Sequence, residues 1–582
     1  MLMIKYWDVC SDMRSNFMRF FSKDKLLKYM MIYSMVIFLM VVMVLPLVTL
    51  FTTAFKNQAD EYVGIQNILS YLSSEATKYS LKNTISVSLW TTVITVILAF
   101  LYAYGLTRTN IKAKGIFKYI ALLPLFAPTM LYGIALIYLF GNKGLVTMYL
   151  GIDIGLYGFK GIVISEILYA FPQVFLILYI SLKTVDFRLY EAAETLGVSN
   201  IKKFFYITLP NIKYSIISSA FVSFTLSFTD FGAPKVVGGS YNVLATDIFK
   251  QVVGQQNINM GAVVGIILLI PALLYFVVDR FSENKRKDGA VNAKSVDYKI
   301  RNNRLRDRSM TLYCSLISLF FLALIFMIVY VSLVKIWPYD LSITFSNYTF
   351  NNSTGDGLTA YTNSLKMSLI TAFIGTIISF SNAYIIEKFK ELKLLRTVGY
   401  LISIVPLAVP GLVIGLSYIF FFNSPNNPFN SIYGTMAILV LANVFHFYSV
   451  PFITSMTAMK KLDKEFEDVS ESLSLQFYKT LFKVTIPMSI TALLEIFMYY
   501  FTNSMVTISA LVFLYSPELK LATISMINLD DAGNTSSSAA LGVLIIITNI
   551  IVRCLYEILS KKLVNERTNK KETQVLIKTV EA

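Results

Sequence analysis

The sequence predicts an all-α, polytopic membrane protein of twelve transmembrane helices, arranged as two parallel six-helix repeats. Three observations predict it. Mean hydropathy is +0.62 and 55% of the residues are apolar, a composition suited to lipid rather than water. Apolar runs of about 20 residues, the length a helix needs to cross a bilayer, are centred near residues 40, 94, 128, 171, 220, 269, 322, 374, 408, 445, 500 and 548. Polar landmarks of the first part of the chain also return in order in the second, which marks an internal duplication.

The first run, Leu26 to Phe55, is too long for a signal-peptide core and reads as a retained helix. Lys and Arg set the orientation. With Lys5, Arg14, Arg19, Lys23, Lys25 and Lys28 taken as cytoplasmic, the inner segments hold about 39 basic residues and the outer loops about 6, so both termini lie inside a cell membrane. This asymmetry accounts for the net charge of +16 without nucleic acid, since the aromatics lie in the apolar spans. Cys10, Cys314 and Cys554 fall near the cytoplasmic side and predict no disulfide framework. His446 has no Cys or His companion and reads as a packed or pore-facing polar group, not a metal ligand.

Residues 1–280 form the first unit. Its second helix opens Asn83-Thr84, with Ser88 following, and its third holds Pro124, Pro128 and Gly133. In a bilayer bundle neighbouring helices can satisfy the carbonyls such prolines free. The fourth helix carries Glu166 and Pro172. After the fifth, Thr229-Asp230-Phe-Gly-Ala-Pro-Lys235 interrupts the apolar run at its outer end. Residues 281–308, rich in Lys and Arg, read as a cytoplasmic tether with almost nothing apolar to bury. Residues 309–582 repeat the plan. Asn363-Ser364 with Ser368 echoes Asn83-Thr84 with Ser88, Pro406, Pro410 and Gly415 reproduce the proline spacing, Pro451 answers Pro172, and Ala522-Thr523 answers Ala245-Thr246. Six helices per unit give both units one orientation, so a substrate path is expected between them near the midplane.

Two polar loops face the cytoplasm in this topology. Residues 186–210 run from Asp186 through Glu191-Ala192-Ala193 and Gly197 to Leu209-Pro210. Charged and apolar residues alternate at helical spacing, Gly197 suits a helix stop, and Pro210 suits the start of the next helix. Residues 463–487, about 277 positions on, repeat the loop in degenerate form with Asp468, Glu471, Ser474 and Pro487. The chain has no Gly-x-x-x-x-Gly-Lys-Ser/Thr loop and no Gly-Lys pair, so it does not cradle ATP phosphates in the usual way. Energy must come from another subunit or an ion gradient.

The Glu-Ala-Ala, Gly and Ile-x-Leu-Pro pattern resembles the cytoplasmic coupling loop of ABC importer permeases, and the whole chain resembles a fused type I permease with both pore halves in one polypeptide. The resemblance implies that the loop's first helix docks on an ATPase subunit through Glu191 and Gly197. It further implies two ATPase copies binding ATP and Mg, an external binding protein, and no catalysis by this chain. The second loop departs from the pattern: Asp468 stands for the Glu, Val469 and Ser470 for the alanines, and Ser474 for the Gly. The Phe228–Gln256 and Asn503–Gly533 stretches are similar to permeases assigned to 2-aminoethylphosphonate import, a branch related to ferric-iron permeases. A zwitterion needs donors for its phosphonate and an acceptor for its amine. Intramembrane polar residues usually face a cavity, which makes Glu166, Thr229, Asp230, Lys235, Glu495 and Asn503 the candidates for the path. Ferric iron and polyamines are alternative solutes. A gradient-driven twelve-helix transporter would carry an Asp-Arg-Gly signature after its second helix, where this chain has Arg108-Thr-Asn-Ile-Lys-Ala-Lys-Gly115.

Overall fold

The computed structural model describes residues 24–289, 296, 298–300, 302–350, 357–463, 465–473 and 475–580. Eight of its helices are long and apolar enough to cross a membrane: Asp24–Ala54, Glu75–Arg108, Thr129–Leu150, Phe159–Thr184, Ile258–Val278, Arg304–Leu333, Gly357–Lys388 and Thr535–Leu563. Three bent pairs raise the number of candidate spans among the described residues to 11. The remaining expected span, near residue 220, is the Leu209–Thr229 helix. Its 21 residues reach about 32 Å, but Lys213 and a run of serines make it less apolar than the others.

Prolines decide where spans break. The run centred near residue 128 is two helices and not one: Lys114–Leu122 tightens into a 3-10 turn at Leu123–Phe126, and Pro128 caps Thr129–Phe140. The second repeat does the same with Val405–Ala408 and Pro410, where the chain turns by 116° before Gly411–Phe422. A proline has no N–H for the continuing ladder and pushes the preceding residue out of the helical region, so the break follows from the sequence.

The repeated Asn-Thr and Asn-Ser pairs perform one task in both halves. Asn83 Nδ2 donates to the Asn242 carbonyl at 2.9 Å, and the Leu244 N–H donates to Thr84 Oγ1 at 2.9 Å. In the second half Asn363 Nδ2 donates to the Lys520 carbonyl at 3.2 Å, and the Ala522 N–H donates to Ser364 Oγ at 2.8 Å. Each pair thus ties its helix to the segment following the interrupted fifth span.

The two repeats exchange their first helices. Arg304–Leu333 packs on the first half, where Ser318 Oγ meets Tyr102 Oη at 2.8 Å, Tyr313 Oη donates to the Leu98 carbonyl at 2.8 Å, and Phe321 meets Phe171 edge-on at 5.0 Å. Asp24–Ala54 packs on the second half, with Phe38 and Phe445 5.7 Å apart and Val42, Met43 and Leu47 facing Pro406, Ile414 and Tyr418. Outward-facing side chains such as Leu89, Trp90, Val93 and Ile97, or Phe373 and Ile377, remain exposed on successive turns, as a lipid-facing surface requires. Cys314 is buried and Cys554 exposed, and both are free thiols; Cys10 lies outside the described residues.

The Ile258–Gly289 helix runs into the 281–308 segment, and Arg304–Leu333 begins inside it with Asn303 as its cap. Two residues between them meet the loop that follows the fourth span: Val296 through its backbone, bonded to Phe187 and Asp186, and Tyr298 through its ring, against Phe187 and Tyr190.

Candidate functional site

Each of the two matched polar loops folds as a short helix, a reversal, and a second helix entering the next span. In the first loop Asp186 caps Phe187–Thr195, its carboxylate accepting the Arg188 N–H at 3.0 Å and pairing with the guanidinium. These Arg188 contacts pull the Asp186 carboxyl down to about 2. The helix ends on Gly197 at φ +68°, with Val198 N–H donating to the Ala193 carbonyl and Gly197 N–H to the Glu194 carbonyl, both at 2.9 Å. This pair of bonds is the Schellman closure, which needs a left-handed residue at the turn. A side chain at Gly197 would meet nothing within 4 Å, so backbone conformation is the only demand for glycine there.

The second loop places Glu465–Ser472 in the same way. The Leu475 N–H reaches the Ser470 carbonyl at 2.9 Å, the counterpart of Val198 and Ala193. Ser474 lies outside the described residues. Both loops then carry a π-helical turn, Phe204–Thr208 and Leu481–Thr485, immediately before the helices that Pro210 and Pro487 open. The entries then diverge: Leu209–Thr229 continues, whereas the second breaks at Ser489 with a 76° bend. Glu191, Ala192, Asp468 and Glu471 are exposed, Leu209 is half-buried, and Ala193 and Ser470 are buried against the bundle. Each helix therefore presents one polar face to solvent and fastens the other.

The fastening residues come from the end of the second helix of each half. Arg108 is buried, donates to the Leu182 carbonyl at 2.7 Å, and sits over the rings of Tyr298 at 4.0 Å and Tyr190 at 5.5 Å. Tyr190 Oη meets Thr208 Oγ1 at 2.8 Å, closing the loop on itself. The Phe187 N–H donates to the Val296 carbonyl at 3.0 Å, and Tyr298 stands edge-on to Phe187 and Tyr190. In the second half Lys388 pairs with Glu467 at 2.8 Å, and Lys390 reaches Asp468 at 3.4 Å and Glu471 at 3.3 Å. The Glu471 and Asp468 carboxylates raise the Lys390 ammonium above its ordinary value. Lys28 of the exchanged first helix lies beside Glu391 and over Phe389, bordering a cavity of about 100 Å³ also lined by Lys388, Glu467 and Thr480.

Within the bundle, Glu166 and Asp230 come together. Their carboxyl groups lie within hydrogen-bonding reach, with Thr129 beside Asp230 and Tyr169 near both. Asp230 also accepts the Ala233 N–H at 2.9 Å. The other expected path residues have partners of their own or face outward. Lys235 pairs with Asp531 of the second half at 3.1 Å. Thr229 Oγ1 donates to its own helix at the Thr225 carbonyl, and Asn503 Nδ2 does likewise to the Tyr499 carbonyl. Glu495 is exposed near Tyr556. Half-buried His446 abuts Gly411.

The profile of the family described as "Binding-protein-dependent transport system inner membrane component" matches residues 95–288 and again 375–565. The chain belongs to that family. It is a fused permease, with one copy of the family unit in each half, in the ABC importer class. Among curated relatives, the permease is 27% identical over 540 residues to the ferric transport system permease protein FbpB of Actinobacillus pleuropneumoniae, covering 90% of this chain and 77% of that one. It is 28% identical to a spermidine/putrescine transport system permease protein PotC homolog of Mycoplasma genitalium, over 35% of this chain and 71% of the relative. It is 33% identical to the molybdenum transport system permease protein ModB of Haemophilus influenzae, over 27% and 69%. These relatives are transport components, and the family is one of multi-pass inner-membrane permeases that work with binding proteins and ATPases.

Sequence reading of this permease misses Arg108, Tyr190, Tyr298, Lys388 and Glu467. A usable signal exists for Arg108 and Lys388, since each is the last residue of a repeated second helix. None exists for Tyr298, whose partners are distant in sequence.

Proposed function

We propose that this permease is the non-catalytic translocation subunit of an ATP-driven importer, with both termini in the cytoplasm. Two copies of an ABC ATPase, which bind the ATP and Mg, engage the Phe187–Thr195 and Glu465–Ser472 helices. A binding protein delivers solute on the opposite face. ATP binding draws the two helices together, the halves rock, and the path opens outward; hydrolysis resets it. The observation that carries this reading is the pair of matched short helices, each with an exposed acidic face and an anchored inner face.

The solute we assign is 2-aminoethylphosphonate. It is supported by the resemblance of the Phe228–Gln256 and Asn503–Gly533 stretches, and by Glu166 and Asp230 as acceptors for an amine. Ferric iron is the second reading, favoured by the near full-length similarity to the Actinobacillus ferric permease. Glu191→Arg should abolish uptake and ATPase docking while the protein still reaches the membrane; uptake at the normal rate would refute the coupling role. Binding of 2-aminoethylphosphonate, ferric iron and spermidine to the cognate binding protein discriminates the solutes, and tight binding of iron alone would replace the first assignment by the second.

A further inference from the structure

A corner of the bundle facing the second half holds a buried acidic group with no ion-pair partner among the described residues. Glu166 is fully buried, and neither carboxylate oxygen meets an N–H or hydroxyl donor among the described residues. The polar group facing it is another carboxyl, half-buried Asp230, at the end of the Leu209–Thr229 helix. Tyr169 stands beside both carboxyls, and Tyr499 of the second half is next to Tyr169. The corner thus lies where the two halves meet. Two carboxyls this close do not both stay charged at low cost: they share a proton, or they hold a cation between them.

The fold itself does not require this pair. Counting back from Pro172 and Pro451, the counterpart of Glu166 is Phe445. Counting back from Ala245 and Ala522, the counterpart of Asp230 is Thr507, which likewise terminates its helix. The aligned positions of the second half carry a ring and a hydroxyl, so two carboxyls are not a requirement of the repeated fold.

We propose that Glu166 and Asp230 form a binding site for the cationic centre of the cargo, an ammonium group or a metal cation, in the translocation path. This rests on the importer reading above and narrows its substrate class: cargo must carry positive charge, and a purely anionic solute is excluded. Asp230, already oriented by the Ala233 N–H, holds one side of the cation. Glu166 closes the other.

The test is uptake by cells carrying the intact importer, per permease molecule in the membrane, with 2-aminoethylphosphonate, ferric iron, spermidine and amine-free ethylphosphonate as tracers. Glu166→Gln and Asp230→Asn should each reduce uptake of the positively charged cargo by roughly tenfold or more. Glu166→Asp should retain a larger share of that uptake. Loss confined to iron identifies a metal cation, and loss confined to an amine identifies an ammonium group. Native uptake by both amide variants, or ethylphosphonate carried as well as its amine-bearing analogue, overturns the proposal. A wild-type complex that couples no ATP hydrolysis to any solute would instead overturn the importer reading.

Discussion

The Lys388 ammonium lies 2.8 Å from the Glu467 carboxylate, in the place where the first half sets Arg108 over the ring of Tyr190. The same mechanical connection, from the end of the second helix to the back of the short loop helix, is made by an ion pair in one repeat and a cation–π stack in the other. Both cations are largely buried, so neither contact is a freely screened surface pair.

The two grips should respond differently to substitution. Lys388→Glu should abolish coupled uptake, and Lys388→Glu combined with Glu467→Lys should restore much of it, because charge complementarity is retained. Arg108→Lys should not rescue what Arg108→Ala loses, since a planar guanidinium stacked on Tyr298 and Tyr190 is not replaced by an ammonium. Stacking of this kind is worth about 0.5–2 kcal/mol. Uptake and solute-stimulated ATP hydrolysis of the four variants check this.

Tyr298 ties the connecting segment to the Phe187–Thr195 helix, at 5.3 Å from Phe187 and 5.0 Å from Tyr190. Tyr298→Ala should loosen that helix and increase its cleavage by protease in inside-out vesicles, whereas Tyr298→Phe should behave as wild type. The second helix, held by Lys388 and Lys390, should be unaffected.

Gly197 adopts φ +68° with open space around it. Gly197→Ala should therefore destabilise the closure by about 1–2 kcal/mol, the cost of a left-handed alanine, without a steric clash. Weaker ATPase docking with normal membrane insertion, read by co-purification, is the expected result.

Asp530 sits beside the Lys235–Asp531 pair joining the two halves, near Tyr138 and Tyr157. Burial, and then the Asp531 carboxylate, raise its carboxyl from 3.8 to about 6, with Lys235 pulling the other way. Because the folded value lies above the unfolded one, the stabilisation is complete below 3.8 and is lost as pH rises through about 6. The Tm of the purified permease should fall from pH 5 to pH 7, and Asp530→Asn should flatten part of that dependence. An equal slope in the variant would remove Asp530 as its source.

Much of the architecture was legible because its causes are local. Apolar length marks a span, proline marks a break, Gly197 marks a helix end, and repetition of these marks reveals the two halves. Leu209–Thr229 was legible by length and by Pro210 although its serines dilute its apolarity. The pairing of Glu166 with Asp230 was not, because the two are brought together only by helix packing. The pairing of Lys235 was not legible for the same reason: its partner, Asp531, belongs to the other half.

The amino-acid sequence by itself determined the membrane class, the duplication and the two short loop helices, since these depend on solvent preference and on backbone rules a few residues long. Only the tertiary structure decided that the first helices are exchanged, that Arg108 and Lys388 grip the helices, that Tyr298 straps one of them, and that Glu166 faces Asp230. Such contacts join residues far apart along the chain, and their energy depends on distance and burial in the packed bundle rather than on neighbours in sequence.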